Sequence, residues 1–372
     1  AYTQFHTPTK IARIRAAEYM NAKKLFAQDA IPIDVRISPE QLVCEFIEQL
    51  ILYPGASQVL GFADGRVRLV GVISDRDGLL VGQRIATLKE HIPNTEGRIA
   101  AIYRQGKAML PDGDTVVQDG DEVFFIADRK DIRVFMSEIR RLEDPVRRVV
   151  IAGGGNIGIR LALALEQTNQ VKIIERDPQR AKAISERVSK AIVLVGDAAD
   201  EELLLEENVD NVDVFCALTN SEEANILSSM LAKRLGAHKV MALINRPSYV
   251  DLVESGNIDI AISPQQITIG SLLAHVRRGD VVKVHSLRHG AAEAIEAIAH
   301  GSEEESRVVG RSIEEIDLPP GSAIVALVRD DRVLIAHHDT VIETDDHVIL
   351  FMTDRRKIER IEQLFQVGVS FV

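Results

Sequence analysis

Two hydrophobic rhythms follow each other between residues 147 and 177. Residues 147–152 (RRVVIA) form a short apolar run suited to a buried parallel strand, residues 159–166 repeat with the period of a helix, and residues 171–174 are apolar again. Gly153, Gly155 and Gly158 stand between the first run and the helical segment with G-x-G-x-x-G spacing. The second run ends in Glu175, about 20 residues beyond the first glycine, where a dinucleotide fold places the acid that meets the adenosine ribose. A third run, IVLV at 192–195, ends in Gly196-Asp197, and a fourth at 212–218 ends in Thr219-Asn220. The expected architecture is α/β, with a Rossmann-type parallel sheet.

Each glycine answers a physical demand. Gly153 lets the chain turn sharply, Gly155 lets backbone approach a pyrophosphate with no Cβ in the way, and Gly158 lets the helix pack close on the strand. Free N–H groups and the positive end of a helix starting near Asn156 favour an anion there. The plainer alternative is a glycine-rich turn that only joins strand to helix, and Glu175 is what weighs against it. The carboxyl ends of parallel strands face the ligand crevice, so Asp197, Thr219 and Asn220 fall where an adenosine and its phosphates would lie. For Asp197, ligand contact and helix N-capping are equally good accounts; for Thr219 and Asn220 contact is preferred.

Self-similarity runs through the rest. KIARIR followed by 16–28 is repeated by VMALIN followed by 246–255, and IDVRISPEQ (33–41) recurs as IDIAISPQQ (258–266). Residues 58–142 change to short strands with polar turns and a closing helix, and the same series returns after Asp280. The chain thus reads as two copies of one design, a Rossmann unit followed by a small α+β module. The expected divisions are 1–53, 54–142, 146–282 and 283–372, and a complete first copy would need roughly 84 residues ahead of Ala1. That expectation makes the chain an N-terminally shortened piece. Residues 39–52 (PEQLVCEFIEQLIL) carry an apolar helical stripe that needs a partner, in its own domain or in another subunit.

Composition narrows the function. The 372 residues hold 4% aromatics, no Trp and two cysteines, and the formal charge is −12. Acidity with no compensating basic stretch argues against nucleic acid. No apolar run approaches the length needed to span a bilayer. Cys44 and Cys216 suit a reducing compartment, and the histidines lack metal-ligand spacing, so neither disulfide nor metal site is expected. Asp112, Asp114, Asp119 and Asp121 lack EF-hand spacing and read as turn chemistry.

In combination, GGGNIG, the acid of IIERD, GDA, ALTNSEEANI and ISPQQ, followed by a small α+β module and in tandem with a partial copy, resemble the RCK/KTN regulatory family of potassium channels and transporters. The resemblance spans the whole chain. It implies tandem RCK N and C lobes in a cytosolic homo-oligomer, typically a tetramer, on the cytoplasmic face of the bacterial inner membrane beneath a membrane-embedded potassium transport subunit. The implied ligands are NAD/NADH and ATP/ADP. Carried over by position, the second site comprises Gly153, Gly154, Gly155, Asn156, Ile157, Gly158, Glu175, Thr219 and Asn220, with Asp197 on the adenine side. A first site would retain only Arg13 and Arg15.

Those two arginines, two apart on a strand, share one face of an aliphatic sheet and need an anion. Phosphate is the first candidate and an ion pair with Glu18 the alternative. The second copy has Leu243 and Asn245 at the matching places, so the two sites are expected to differ in handling phosphate charge. The rival class is an NAD-dependent oxidoreductase, supported only by the Y-x-x-x-K spacing of Tyr19 and Lys23. That pair precedes the glycine turn, and the repeat keeps the tyrosine (Tyr249) while placing Val253 where lysine is needed, so the shared tyrosine reads as packing.

Overall fold

The computed structural model describes residues 7, 9–20, 22, 24–27, 30–254, 256–276, 280–287 and 292–366. The chain divides into two compact units, residues 1–52 with 145–268, and residues 53–144 with 269–372.

The first unit opens with β1 (Ile11–Arg13), α1 (Ala17–Met20), β2 (Val35–Ile37) and α2 (Pro39–Leu52). The first-copy strand expected over 10–15 is therefore shorter, and the helix expected over 16–28 covers one turn: residues 24–27 form turns and a bend instead of helix, and Lys23 and Gln28 lie outside the described residues. The second unit begins with β3 (Ala56–Phe62), β4 (Val67–Ile73), α3 (Leu88–His91), β5 (Gly97–Arg104), β6 (Lys107–Met109), β7 (Glu122–Asp128) and α4 (Ile132–Ile139).

The chain then returns to the first unit with β8 (Arg148–Ala152), α5 (Asn156–Leu165), β9 (Gln170–Glu175), α6 (Pro178–Ser185), β10 (Ile192–Val195), α7 (Glu201–Glu206), β11 (Val214–Ala217), α8 (Glu222–Arg234), β12 (Lys239–Leu243), α9 (Pro247–Glu254) and β13 (Ile260–Ile262), and α10 (Pro264–Val276) starts in the first unit and continues into the second. It ends in the second unit with β14 (Val281–Leu287), β15 (Ala292–Ile298), β16 (Ser322–Arg329), β17 (Arg332–Ile335), β18 (His347–Met352) and α11 (Ile358–Leu364).

In the first unit a six-stranded sheet runs β10-β9-β8-β11-β12-β13, every pair parallel. This is the doubly wound 3-2-1-4-5-6 order, and the strand order reverses between β8 and β11, where such sheets open a crevice. Val150, Phe215, Ala217 and Val240 are buried between the sheet and its helices, which is why these strands read as near-continuous aliphatic runs. The β1–β2 pair repeats the β12–β13 pair in the same register: Ile11 faces Val35 as Met241 faces Ile260.

In the second unit two five-stranded antiparallel sheets share one topology, β3-β4-β7-β5-β6 and β14-β15-β18-β16-β17. Phe62, Phe124 and Ile126 of the first sheet pack with Leu287, Ala294 and Phe351 of the other into a common core. Each module also pins its turn with a buried Asp beneath an Arg. Arg104 donates to both oxygens of Asp121 at 2.8 and 2.6 Å, and Arg329 to both oxygens of Asp346 at 2.9 and 2.8 Å. Asp112 accepts from the Thr115 hydroxyl at 2.7 Å and Asp121 from the Gln118 amide at 2.8 Å, so these two serve turns as the sequence suggested, whereas Asp114 pairs with Arg84 at 3.3 Å and Asp119 with Arg76 at 2.9 Å.

Candidate functional site

The glycine turn sits at the C-terminal end of β8. Gly153 has φ +108°, in the region open to glycine, and a Cβ there would stand 3.0 Å from the Thr219 backbone nitrogen. At Gly158 a Cβ would come within 2.0 Å of the Gly153 carbonyl oxygen, so only glycine lets α5 pack this close to the turn. Gly155 differs from both. A Cβ there would meet nothing within 4 Å, and no side chain caps the helix that begins after it, which leaves the first turn of α5 open toward the crevice.

Glu175, at the end of β9, is nearly buried and turns back on the glycine loop. Its Oε2 accepts from the Gly154 amide at 3.0 Å and its Oε1 from the Asp177 amide at 3.0 Å. A carboxylate offers about four acceptor positions, so capacity remains for a hydroxyl alongside these two bonds. Asp177 caps α6 by accepting from the amides of Gln179 and Arg180, and those bonds hold its carboxyl below the usual aspartate value.

Across the switch point, Thr219 and Asn220 follow β11. The Thr219 amide and hydroxyl both donate to Asn225 Oδ1, at 2.8 and 2.7 Å, while Asn225 Nδ2 donates to the carbonyls of Thr219 and Leu243, at 3.1 and 3.0 Å. Fully buried Asn225 therefore ties the end of β11 to the end of β12. Nothing in the spacing of the sequence marks it out from an ordinary helical polar residue.

These elements enclose a cavity of about 620 Å³ whose wall includes Gly154, Gly155, Asn156, Ile157, Thr219 and Asn220. Gly153, Gly158 and Glu175 shape the turn from behind that wall. Asp197 lies off it: its Oδ1 accepts from the Ala199 amide at 2.9 Å, and Asp200 rather than Asp197 caps the following helix. Of the two accounts considered for Asp197, helix N-capping is therefore not the one the structure shows.

The wall also contains Arg13, Arg15, Arg180 and Arg187, together with Glu40. Arg13 and Arg15, expected as the residue of a first site, open onto the cavity of the second glycine turn. Leu243 and Asn245 line the same cavity, so the neutral and the cationic positions of the repeat meet at one site. The arginines pair with Glu40, not with Glu18: Arg15 Nε lies 3.3 Å and Arg13 Nη2 4.0 Å from Glu40 Oε1. The reason is the docking of α2. Its buried stripe, Val43, Cys44, Ile47, Leu50 and Ile51, faces α5, and the Cys44 thiol donates to the Ile157 carbonyl at 3.4 Å. The partner of this helix is the second copy in the same chain, where its own domain or another subunit was expected.

Arg180 could have been found in the sequence, since the first turn of a helix that starts at a strand end points at the crevice. Glu40 and Arg187 carried no such signal. Cys44 and Cys216 are buried free thiols, each pushed up to about 12, chiefly by burial, and are unsuited to nucleophilic work at neutral pH. Tyr249 packs on the sheet core and its hydroxyl accepts from Arg246 Nη1 at 3.0 Å, whereas Tyr19 is half exposed, so packing explains only the second tyrosine. Among the described residues no group of three or more His, Cys, Asp or Glu is placed to hold a metal, and no helix is long and apolar enough to cross a membrane.

Residues 149–264 match the TrkA-N domain, and residues 69–140 and 303–366 match the TrkA-C domain. Over 371 residues, all of this chain and 81% of the relative, the sequence is 60% identical to the Trk system potassium uptake protein TrkA of Halomonas elongata. It is 56% identical to the protein of the same description from Vibrio alginolyticus and 49% to that from Haemophilus influenzae, again across the whole chain and 81% of each relative. Among solved structures, the GsuK RCK domain is similar over 96% of this chain and 75% of its own, with a TM-score of 0.53 at 17% identity. The structure described as the GsuK channel bound to NAD is similar over 96% and 62%, with the same score and identity. These two likenesses establish the RCK fold.

Proposed function

The chain belongs to the TrkA family of Trk-system potassium uptake proteins, and from that premise we propose that it is a non-enzymatic regulatory subunit whose nucleotide occupancy gates a membrane-embedded Trk-type potassium transport subunit. The observation that carries this reading is the cavity at the switch point. It joins an uncapped helix start, an unobstructed Gly155 and four guanidinium groups, which is a setting for phosphate. The ligands of this reading are NAD/NADH, the nucleotide bound in the GsuK channel structure, and ATP/ADP. Among the described residues none of those lining the cavity is His, Cys, Lys or Tyr, which favours a bound signal over hydride transfer with a proton relay.

In this reading Gly153 to Gly158 and Glu175 hold the pyrophosphate and ribose side, Thr219 and Asn220 close the opposite wall, and Arg13 and Arg15 meet phosphate. Asp197 stands for the adenine end beyond the cavity wall. The lobes are residues 1–53, 54–142, 146–282 and 283–372, assembled as a homo-oligomer, a tetramer, on the cytoplasmic face of the bacterial inner membrane. Ligands that bind two arrangements of the assembly with unequal affinity shift the population between them, and coupling of about 1–3 kcal/mol changes the equilibrium several-fold to a hundredfold.

Gly155→Asp tests the reading, because the side chain has room and the fold tolerates it while the carboxylate occupies phosphate space. Nucleotide affinity is expected to fall by about a hundredfold, and potassium flux in vesicles containing the membrane subunit is expected to lose its response to nucleotide. Flux indifferent to every nucleotide in the unaltered protein would indicate a scaffold instead. Sustained NADH turnover with a panel of carbonyl compounds would restore the oxidoreductase.

A further inference from the structure

Glu40 is the one carboxylate among the described residues that line the cavity, and it stands against four arginines. Only 8% of the residue is exposed, and its Oε2 is buried without a hydrogen-bond partner. Its Oε1 serves both Arg15 and Arg13. The three side chains differ in freedom. The arginine side chains are 58% and 69% exposed and can swing, whereas the carboxylate is 10% exposed and rides on the first turn of a helix anchored by its buried stripe. A phosphate entering the cavity reaches the same guanidinium groups that the carboxylate holds. Two anions then compete for two cations, and the fixed one sets the threshold for the mobile one.

We propose that Glu40 determines the ligand preference of this site by competing with terminal phosphate for Arg13 and Arg15. The proposal rests on nucleotide binding at the glycine turn and goes beyond it by assigning selectivity to a residue of the first repeat. A dinucleotide carries its phosphates as an internal pyrophosphate with one charge on each phosphorus, which satisfies the glycine turn without drawing on the arginine pair. The terminal phosphate of ADP, and more so the triphosphate of ATP, gains from that pair and must displace the carboxylate to do so. A carboxylate in a helix's first turn also complements the helix dipole. That role alone would alter stability and leave the ranking of ligands unchanged.

The test is isothermal titration calorimetry of the purified chain with ATP, ADP and NADH in EDTA, so that no divalent cation masks phosphate charge. Releasing two partly exposed ion pairs, Glu40→Gln is expected to raise ATP affinity about tenfold, ADP affinity about threefold and NADH affinity by less than about twofold. In an Arg13→Ala/Arg15→Ala background the same substitution is expected to change none of the three. An equal change for all ligands, a loss of ATP affinity, or a gain that persists without the arginines overturns the proposal. Should Glu40→Gln fail to fold, Glu40→Asp withdraws the carboxylate by one carbon and is expected to give smaller gains, again largest for ATP and least for NADH; equal gains for all three, or none, overturn the proposal. If the unaltered chain binds no nucleotide, the reading of the site falls with it; if it binds them and Glu40→Gln changes all three affinities equally or not at all, only this inference falls.

Discussion

The strand–strand–helix segment formed by β1, β2 and α2 and the one formed by β12, β13 and α10 are two versions of one design, and they have been put to different uses. Their strands pair in the same register, and each helix follows a Ser-Pro start. Yet the first version offers Arg13, Arg15 and Glu40 where the second offers Leu243, Asn245 and Gln265. In α2 the residues Val43, Ile47 and Leu50 are fully covered, whereas in α10 Ile269 and Leu272 remain more than a third exposed. A shared backbone plan thus leaves side-chain chemistry free to diverge: the first segment brings two arginines and a carboxylate to the cavity, and the second brings neutral side chains.

The largest expected effect is at the seat of that arrangement. Gly158→Ala places a methyl group 2.0 Å from the Gly153 carbonyl oxygen, so α5 must shift and α2 loses its platform; urea unfolding is expected to show a loss of about 3 kcal/mol or more. A loss below about 0.5 kcal/mol would mean that the turn can relax and that the two segments are less tightly joined than described. Next comes the contrast between the helices. Ile47→Ala should cost about 2–4 kcal/mol and Leu272→Ala less than about 1 kcal/mol in the same unfolding measurement, and similar costs would erase the distinction between a covered and an uncovered copy.

The smallest effect concerns the helix that brings Arg180 to the cavity. Asp177 is depressed in the folded protein by the amides it caps, so its contribution is present above the unfolded aspartate value and is lost as pH falls through the lower folded value. Asp177→Ala should therefore lower the melting temperature at pH 7 and converge with the unaltered protein once pH has fallen below that lowered folded value. A difference that stays constant with pH would assign the effect to something other than the charged cap.

Much of the first unit was legible because its signals are local. The glycine spacing, the acid at the end of β9 and the apolar runs at β8, β9, β10 and β11 each follow from what a short segment of backbone can do. The tandem architecture was legible as repetition, and the turn aspartates as turn chemistry. The destination of the stripe on α2 was not legible, because an apolar face specifies burial without naming what covers it. The ion-pair partner of Arg13 and Arg15 was illegible for the same reason: Glu40 is 25 or more positions away and reaches them only once α2 has docked on α5.

The sequence by itself determined which segments become strands and helices, where the chain must turn on glycine, and that the plan occurs twice, since these depend on backbone sterics and on hydrophobic periods of two and 3.6. Only the tertiary structure decided that the two copies contribute to one cavity, that Glu40 stands among its arginines, and that Asp197 stands outside its wall. Such facts turn on distances between groups far apart in the chain, which are fixed when apolar faces without directional preference find the partners that exclude water from both.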